Sequence, residues 1–447
     1  MRRWLGPIFC ATLRVFFRRI EVFGRERVPE HGPVIFVLNH PNALIDPLFL
    51  TCRAPRPVSF LAKEPLFRMR VIGRFVRAFE SLPVYRRQDE HDPRRNRETF
   101  ERASELLLRD RALAIFPEGT SHSDPRLRPL KTGAARLALG AAEMLARSAA
   151  AREAPTLRIV PAGLTYPEKG TFRSEALLYF GDPIEVPAAG LGPDENPPRG
   201  AVRDLTGRIA RALADVTLQA EQEEALALIA RATRLFFANG DAADRGLAAE
   251  FELRRRFLAA YRTLRERVPE RLAAAQERLL RYEARLRRAG LDGRLTPAVG
   301  ARGWARLAAR TLGRLLLLFP AGAPGAILHY PAYRVAGAVA TRVAESDDVL
   351  ATVKVLSAML FFPLSWLVAA IAVGIAWVPA AAAVTLVLLP FLGFAALLFV
   401  EAADETATLA RALILRIRRP AALAELRREA QALRDEIVAL GRLADSA

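Results

Sequence analysis

Between Val355 and Val400 the chain runs for 46 residues without one charged side chain. Drawn as a single helix rising 1.5 Å per residue, this stretch would reach about 69 Å, roughly twice the hydrocarbon core of a bilayer. One span is therefore excluded and two fit. The turn falls at Trp377-Val378-Pro379, because proline cannot continue a helix and tryptophan favours the membrane interface. Such a hairpin, crossing twice or re-entering, brings both of its ends back to one side. Lys354 on one flank and Arg411, Arg416, Arg418 and Arg419 on the other assign that side to the cytoplasm, with Glu401, Asp404 and Glu405 intervening. Upstream, Leu315 to Tyr333 also lacks charge but carries Pro320, Pro324 and Pro331, which predicts an interfacial or partly inserted segment rather than a span. Pro420 suits the first position of a closing amphipathic helix.

The rest of the 447 residues has the charge of a soluble protein, so a soluble part joined to a membrane part is expected. The net charge of +18 arises from 66 basic residues, of which only Lys63, Lys131, Lys169 and Lys354 are lysine. A positive excess of this size attracts anionic headgroups or nucleic acid. No basic patch interleaved with aromatics and no recognition motif accompanies it, so nucleic acid is not an expected partner. Cys10 and Cys52 offer neither a disulfide framework nor paired metal spacing, which points to a reducing compartment and no metal.

The N-terminus has Arg2 and Arg3 before an apolar run, but Arg14, Arg18 and Arg19 interrupt it and no small-residue cleavage site follows, so export is not expected. Trp4, Leu5, Ile8, Phe9, Leu13, Phe16, Phe17 and Ile20 recur every three or four residues. They predict a helix within residues 1–29 that lies on an anionic membrane surface, or else packs its stripe on the protein's own core. From residue 33 to about 185, apolar runs at Val34–Leu38, Val58–Ala62, Leu82–Val84, Ala112–Phe116, Arg158–Leu164 and Ala176–Phe180 alternate with helical stretches such as 94–109 and 131–150. That alternation predicts an α/β domain with a mostly parallel sheet flanked by helices. A Pro- and Gly-rich stretch over 186–200 reads as a linker. Residues 202–290 read as helices, with a break at Asn239-Gly240 and a stop near Gly290. The expected organisation is thus a membrane-associating helix (1–29), a catalytic domain (30–200), a helical region (201–310), and a membrane region (311–447) containing the hairpin 355–400.

Two constellations follow strand-like runs. In Asn39-His40-Pro41-Asn42-Ala43-Leu44-Ile45-Asp46, His40 lies at the carboxyl edge of a sheet, where open α/β folds bind ligands. Pro41 is a possible helix start. Six residues turn an ideal helix by about 600°, so His40 must sit before the helix if Asp46 is to reach its ring. That pair makes a general base: the carboxylate fixes one nitrogen while the other takes a proton. The alternative is a buried structural histidine. In Phe116-Pro117-Glu118-Gly119-Thr120-Ser121-His122, Gly119 permits close backbone approach, and Thr120 and Ser121 offer hydroxyls and amides to a phosphate. His122 either touches phosphate or faces water. Lys131 precedes a helix and can meet an anion there. Arg86 ends a further strand at Leu82-Pro83-Val84-Tyr85-Arg86-Arg87, and guanidinium grips phosphate with two donors. Val160-Pro161-Ala162-Gly163-Leu164-Thr165-Tyr166 is a strand rich in small residues, with room for a chain or a thioester to pass.

In this order and at these intervals the four blocks resemble the glycerolipid acyltransferase superfamily, over roughly residues 30–185. Five residues separate His40 from Asp46 where four is usual, and Ser121-His122 stands where many lysophosphatidate acyltransferases have arginine. Both features, with the Pro-Leu-Lys that follows and the long apolar C-terminal part, resemble the membrane-bound glycerol-3-phosphate and dihydroxyacetone-phosphate acyltransferase branch. The resemblance implies His40 as general base and Asp46 as its orienting carboxylate. It implies acceptor contacts from Asn39, Arg86, Glu118, Gly119, Thr120, Ser121 and Lys131. The donor would be an acyl thioester, acyl-CoA or acyl carrier protein, with no cofactor and no metal. The acceptor would be a phosphorylated three-carbon alcohol, with lysophosphatidate as runner-up and a membrane-anchored lipid-binding scaffold as the non-enzyme alternative.

Overall fold

The alternation of apolar runs and helices builds one sheet in the computed structural model, which describes residues 2–70, 72–85, 93–148, 156–192, 196–221, 223–237, 246–291 and 301–446. Packing divides the chain into two compact units, Met1–Glu221 with Ala344–Thr352, and Gln222–Val343 with Val353–Ala447.

The first unit runs α1 (Arg2–Phe16), β1 (Phe17–Phe23), β2 (Val34–Leu38), α2 (Ile45–Arg53), β3 (Val58–Lys63), α3 (Pro65–Arg68), α4 (Ile72–Ala78), β4 (Leu82–Val84), α5 (Pro93–Leu108), β5 (Ala112–Ile115), α6 (Gly133–Ser148), β6 (Leu157–Thr165), β7 (Ser174–Phe180), β8 (Ile184–Val186) and α7 (Arg199–Asp215). The strand order is β1-β7-β6-β2-β5-β3-β4, with β8 paired to β6. All neighbours are parallel except β6 with β7 and β6 with β8. Every residue of the central strand β2 is buried. Helices cover both faces of such a strand, so it reads as the continuous apolar run VIFVL instead of alternating. The buried stripe of α7, formed by Val202, Leu205, Ile209 and Leu213, puts that helix in this unit. The first unit therefore runs on to Glu221.

Three expectations for this unit change. The N-terminal stripe does not continue as one helix: α1 ends at Phe16, and β1 joins the sheet edge in parallel with β7. Phe9, Leu13, Phe16 and Phe17 are buried in the core, so this part of the stripe packs on protein rather than lipid. Arg173 fastens the junction, its amide bonding the Phe16 carbonyl and its guanidinium those of Arg14 and Val15. Second, the two cysteines form a disulfide, Cys10–Cys52, because α1 packs across α2 and brings positions 42 residues apart together. Third, the helix after β2 starts at Ile45 and not at Pro41.

The second unit holds α8 (Glu223–Phe237), α9 (Leu247–Arg267), α10 (Pro269–Arg288), α11 (Ala301–Val343), α12 (Asp347–Ala376, whose first turn belongs to the first unit), α13 (Pro379–Arg418) and α14 (Pro420–Asp445). The break expected at Asn239-Gly240 lies outside the described residues. Leu279, Tyr282, Trp304, Leu409, Leu426 and Leu433 form the core joining α10, α11, α13 and α14. The turn between α12 and α13 falls at Trp377-Val378, as the sequence indicated.

Leu315–Tyr333 is not a broken interfacial segment. It lies inside the continuous helix α11, with Pro320, Pro324 and Pro331 in its interior. Three described helices, Gly303–Val343, Asp347–Ala376 and Pro379–Arg418, are long and apolar enough to cross a membrane. Neighbouring helices make such prolines tolerable. Here α13 runs antiparallel to α11, as Arg314 meets Glu405, Phe319 meets Phe399 and Gly325 meets Leu392. A Cβ on Gly325 would lie 2.3 Å from the Leu392 carbonyl oxygen, so only glycine allows this approach. His329 joins the three helices: its Nδ1–H donates to the Gly325 carbonyl (2.7 Å), its Nε2 accepts from Trp366 (2.8 Å), and its ring fills the space left by Gly393. Leu317, Ile327, Ile375, Trp377 and Phe391 point outward and are more than two-thirds exposed. An apolar belt of this extent needs lipid, and the chain is a membrane protein.

Candidate active site

The site gathers at the carboxyl ends of three adjacent strands, β6, β2 and β5, which deliver Tyr166, His40 and Glu118 respectively. β2 ends at Leu38, and the chain bends through Pro41–Leu44 before α2, with Ala43 at φ +22°. This bend turns His40 back toward the first turn of α2. His40 Nδ1 lies 2.8 Å from Asp46 Oδ2. An ionised carboxylate can only accept, so Nδ1 carries the hydrogen and Nε2 presents its lone pair. The ring stacks on Phe116, with centroids 4.0 Å apart.

Asp46 has no exposed side-chain surface and is held on both oxygens. Oδ2 also accepts from the Asn42 amide (2.8 Å), while Oδ1 accepts from the Tyr166 hydroxyl (2.8 Å). Burial first, then the Asp46 charge and its hydrogen bond, push the Tyr166 phenol well above its ordinary value. It therefore keeps its proton and remains a donor. Tyr166 stacks on Phe17 of β1 and meets Phe49 of α2 edge to face. Tyr166 stood at the end of the small-residue strand block, which the sequence marked only as room for a chain.

Tyr166→Phe should lower kcat by about tenfold, the effect of one hydrogen bond to a charged group, with little change in KM. The sign for stability follows from the upward shift. The phenol's contribution is complete below its unfolded value of about 10 and fades as pH rises through its higher folded value. Alkaline unfolding scans should thus show Tyr166→Phe losing less stability above about pH 10 than wild type. Parallel curves would remove Tyr166 from the Asp46 network.

Several residues expected to touch substrate make bonds within the protein. Asn39 spends both arms of its amide on the Leu164 backbone (2.9 and 2.7 Å), pinning the His40 bend to β6. Glu118 is buried and accepts from the His40 amide (3.3 Å), the Arg128 amide (2.7 Å) and His122 Nε2. His122 does not face water, and both of its ring nitrogens have partners in the protein, Nε2 being the one on Glu118. It is buried, its Nδ1 accepts from the Asp124 amide, and its own amide donates to the His40 carbonyl (3.1 Å). Both backbone polar groups of His40 are thereby held by the turn after β5. The Ser121 hydroxyl bonds Asp348.

What stays open around His40 is Gly119, Thr120 and Lys131. Gly119 adopts φ +76°, and a Cβ there would lie 2.6 Å from Lys131 Nζ. The lysine stem therefore crosses the bare glycine, and its ammonium is delivered to the turn that holds His40, as an anion seat requires. Thr120 is exposed beside it. Arg86 lies outside the described residues.

A family model described as "Acyltransferase" matches residues 19–165, and one described as "Glycerol-3-phosphate acyltransferase 2 C-terminal domain" matches residues 228–442. Glycerol-3-phosphate O-acyltransferase 1 of Saccharomyces cerevisiae is 26% identical over 79% of this chain and 58% of its own length. Glycerol-3-phosphate O-acyltransferase 2 of the same yeast is 37% identical over 32% of this chain and 18% of its own. The chain therefore spans under two thirds of either relative. The crystal structure of the 1-acyl-sn-glycerophosphate acyltransferase PlsC from Thermotoga maritima aligns with a TM-score of 0.32 and 16% identity over 48% of this chain and 80% of that one. The two family matches together cover most of the first unit and most of the helical and membrane parts, and they make this chain similar to the glycerolipid acyltransferases, with its resemblance to the glycerol-3-phosphate acyltransferase branch.

Proposed function

We propose that the chain is a membrane-bound O-acyltransferase that moves an acyl group from a thioester, acyl-CoA or acyl carrier protein, to a hydroxyl of glycerol 3-phosphate or dihydroxyacetone phosphate. The observation that carries this reading is the His40–Asp46 pair at 2.8 Å, with Nε2 left as the acceptor and Lys131 brought over Gly119 on the adjoining turn. The matched yeast relatives bear the name of the same reaction.

His40 Nε2 takes the proton of the acceptor hydroxyl, whose oxygen attacks the thioester carbonyl. The C–O bond forms, the carbonyl electrons move onto oxygen, and the oxyanion collapses with cleavage of the C–S bond. The thiolate leaves readily, since thiols ionise near pH 8.5 to about one part in two, and takes back the proton from the imidazolium. Asp46 stabilises that imidazolium without accepting its proton. Lys131 and Arg86 seat the acceptor phosphate, and Gly119 and Thr120 line the approach to it. No cofactor or metal takes part. The catalytic unit faces the cytoplasm, in keeping with Lys354, Arg411, Arg416, Arg418 and Arg419 flanking the apolar hairpin, and the acylated product passes into the adjacent lipid.

The test is acyl transfer by the purified full chain in lipid vesicles, with labelled acyl-CoA or acyl carrier protein and glycerol 3-phosphate, dihydroxyacetone phosphate and lysophosphatidate in parallel. Product from a three-carbon acceptor is expected. Product from lysophosphatidate alone would move the chain to the second acylation, and no product with either donor would favour a lipid-binding scaffold.

A further inference from the structure

We infer that the first turn of α12 is part of the acyl-transfer machinery, with Thr352 and Asp348 as positioning residues for the loops that carry His40 and Gly119. The inference rests on the acyltransferase reading above. The acyltransferase match ends at residue 165, so these residues lie outside it and inside the C-terminal match over 228–442. Yet Ala344–Thr352 groups with the first unit, which carries His40.

The need for such a turn begins at α2. The Asn42 carbonyl accepts from the amides of Ile45 and Asp46 at the start of α2, which leaves the amide of Leu44, the residue before the helix, to be met from elsewhere. Leu44 follows Ala43 in its positive-φ conformation. Its amide donates to Thr352 Oγ1 at 3.2 Å, from 308 residues along the chain. Two residues beyond Leu44 stands Asp46, so Thr352 steadies the segment that aims the carboxylate at His40. Asp348 accepts hydrogen bonds from the hydroxyls of Ser121 and Ser346. It thereby holds the turn whose next members, Glu118 and His122, clamp the His40 backbone. Leu350 closes against Gly170, where a Cβ would lie 3.1 Å from its Cδ2.

Asp348, Ala351 and Thr352 are buried in these contacts. The turn thus touches the loops that follow β2, β5 and β6, which are the three strands that build the site. None of its side chains reaches His40 Nε2, so its effect is on geometry and not on the reacting atoms. Small displacements of a base cost rate before they cost affinity.

The experiment compares full-length wild type, Thr352→Val, Thr352→Ser and Asp348→Asn in vesicles, reading kcat, KM for glycerol 3-phosphate and amide hydrogen exchange. Thr352→Val should lower kcat by about tenfold, the effect of one lost hydrogen bond, with KM within about twofold. It should also speed exchange at Leu44–Asp46 by about tenfold. Thr352→Ser, which keeps the acceptor oxygen, should restore both. Asp348→Asn should loosen exchange at Gly119–Ser121. Wild-type kcat and exchange in Thr352→Val, or failure of serine to rescue, would overturn the inference. If wild type acylates no phosphorylated glycerol, the reading of function fails by itself. Exchange at Leu44–Asp46 then still decides the positioning role, supporting it when faster in Thr352→Val and overturning it when unchanged.

Discussion

His40→Ala should lower kcat for acyl transfer by about 10²–10⁴-fold, the contribution of a well-placed general base, while the protein stays folded. The reason for the intact fold is that the network around His40 uses its backbone. Glu118 takes its amide and His122 reaches its carbonyl, and both bonds survive the substitution. Asp46 keeps the Asn42 amide and the Tyr166 hydroxyl. Steady-state rates on the accepted three-carbon substrate, beside thermal unfolding of the same preparation, would check both halves. A variant within threefold of wild type would remove His40 from the chemistry, and a variant that cannot be purified folded would show that its ring is structural.

Glu118→Ala should behave in the opposite sense, as a folding defect first. Its side chain is wholly buried and accepts three hydrogen bonds that tie together the His40 bend, the turn after β5 and the segment at Arg128. Removing it strands two backbone amides and one imidazole N–H, and breaking a buried charged cluster costs roughly 3–5 kcal/mol. Urea unfolding followed by circular dichroism would measure that loss, and activity should fall with it as His40 drifts. A Glu118→Ala protein of near wild-type stability, but with raised KM for the acceptor, would mean that the carboxylate meets substrate after all.

The sequence made the sheet legible because its buried parallel strands are short apolar runs bounded by helices. All six expected runs became strands, with ends within one or two residues. β1 escaped because Phe16 and Phe17 extend a helical stripe without a glycine, a proline or a cap between them. Pairing with β7, some 155 residues away, overrode that local period. α11 escaped for the converse reason: its prolines signal a break, while its packing against α13 keeps the helix whole. In the site, residue types and spacing singled out His40, Asp46, Glu118 and Lys131, which the fold brings to one edge of the sheet. They could not say which way a polar side chain points, so Asn39 and Glu118 read as substrate contacts, whereas in the fold Asn39 bonds the Leu164 backbone and Glu118 bonds two backbone amides and the His122 ring. His122 and Tyr166 belong to the same class, since only the folded neighbourhood shows that each serves its neighbour in the His40–Asp46 network.

The bond from Thr352 to the Leu44 amide also has a meaning in time. A ribosome adding about 5–20 residues per second reaches residue 352 some 15–60 seconds after residue 44. In the later part of that interval the nascent chain holds β1 through α7, the base and its carboxylate, but not the turn that braces them. Completion of the site is thus tied to synthesis of the apolar helices. A half-made chain, still awaiting its membrane anchor, would be a poor catalyst at the stage when its lipid product would have no bilayer beside it.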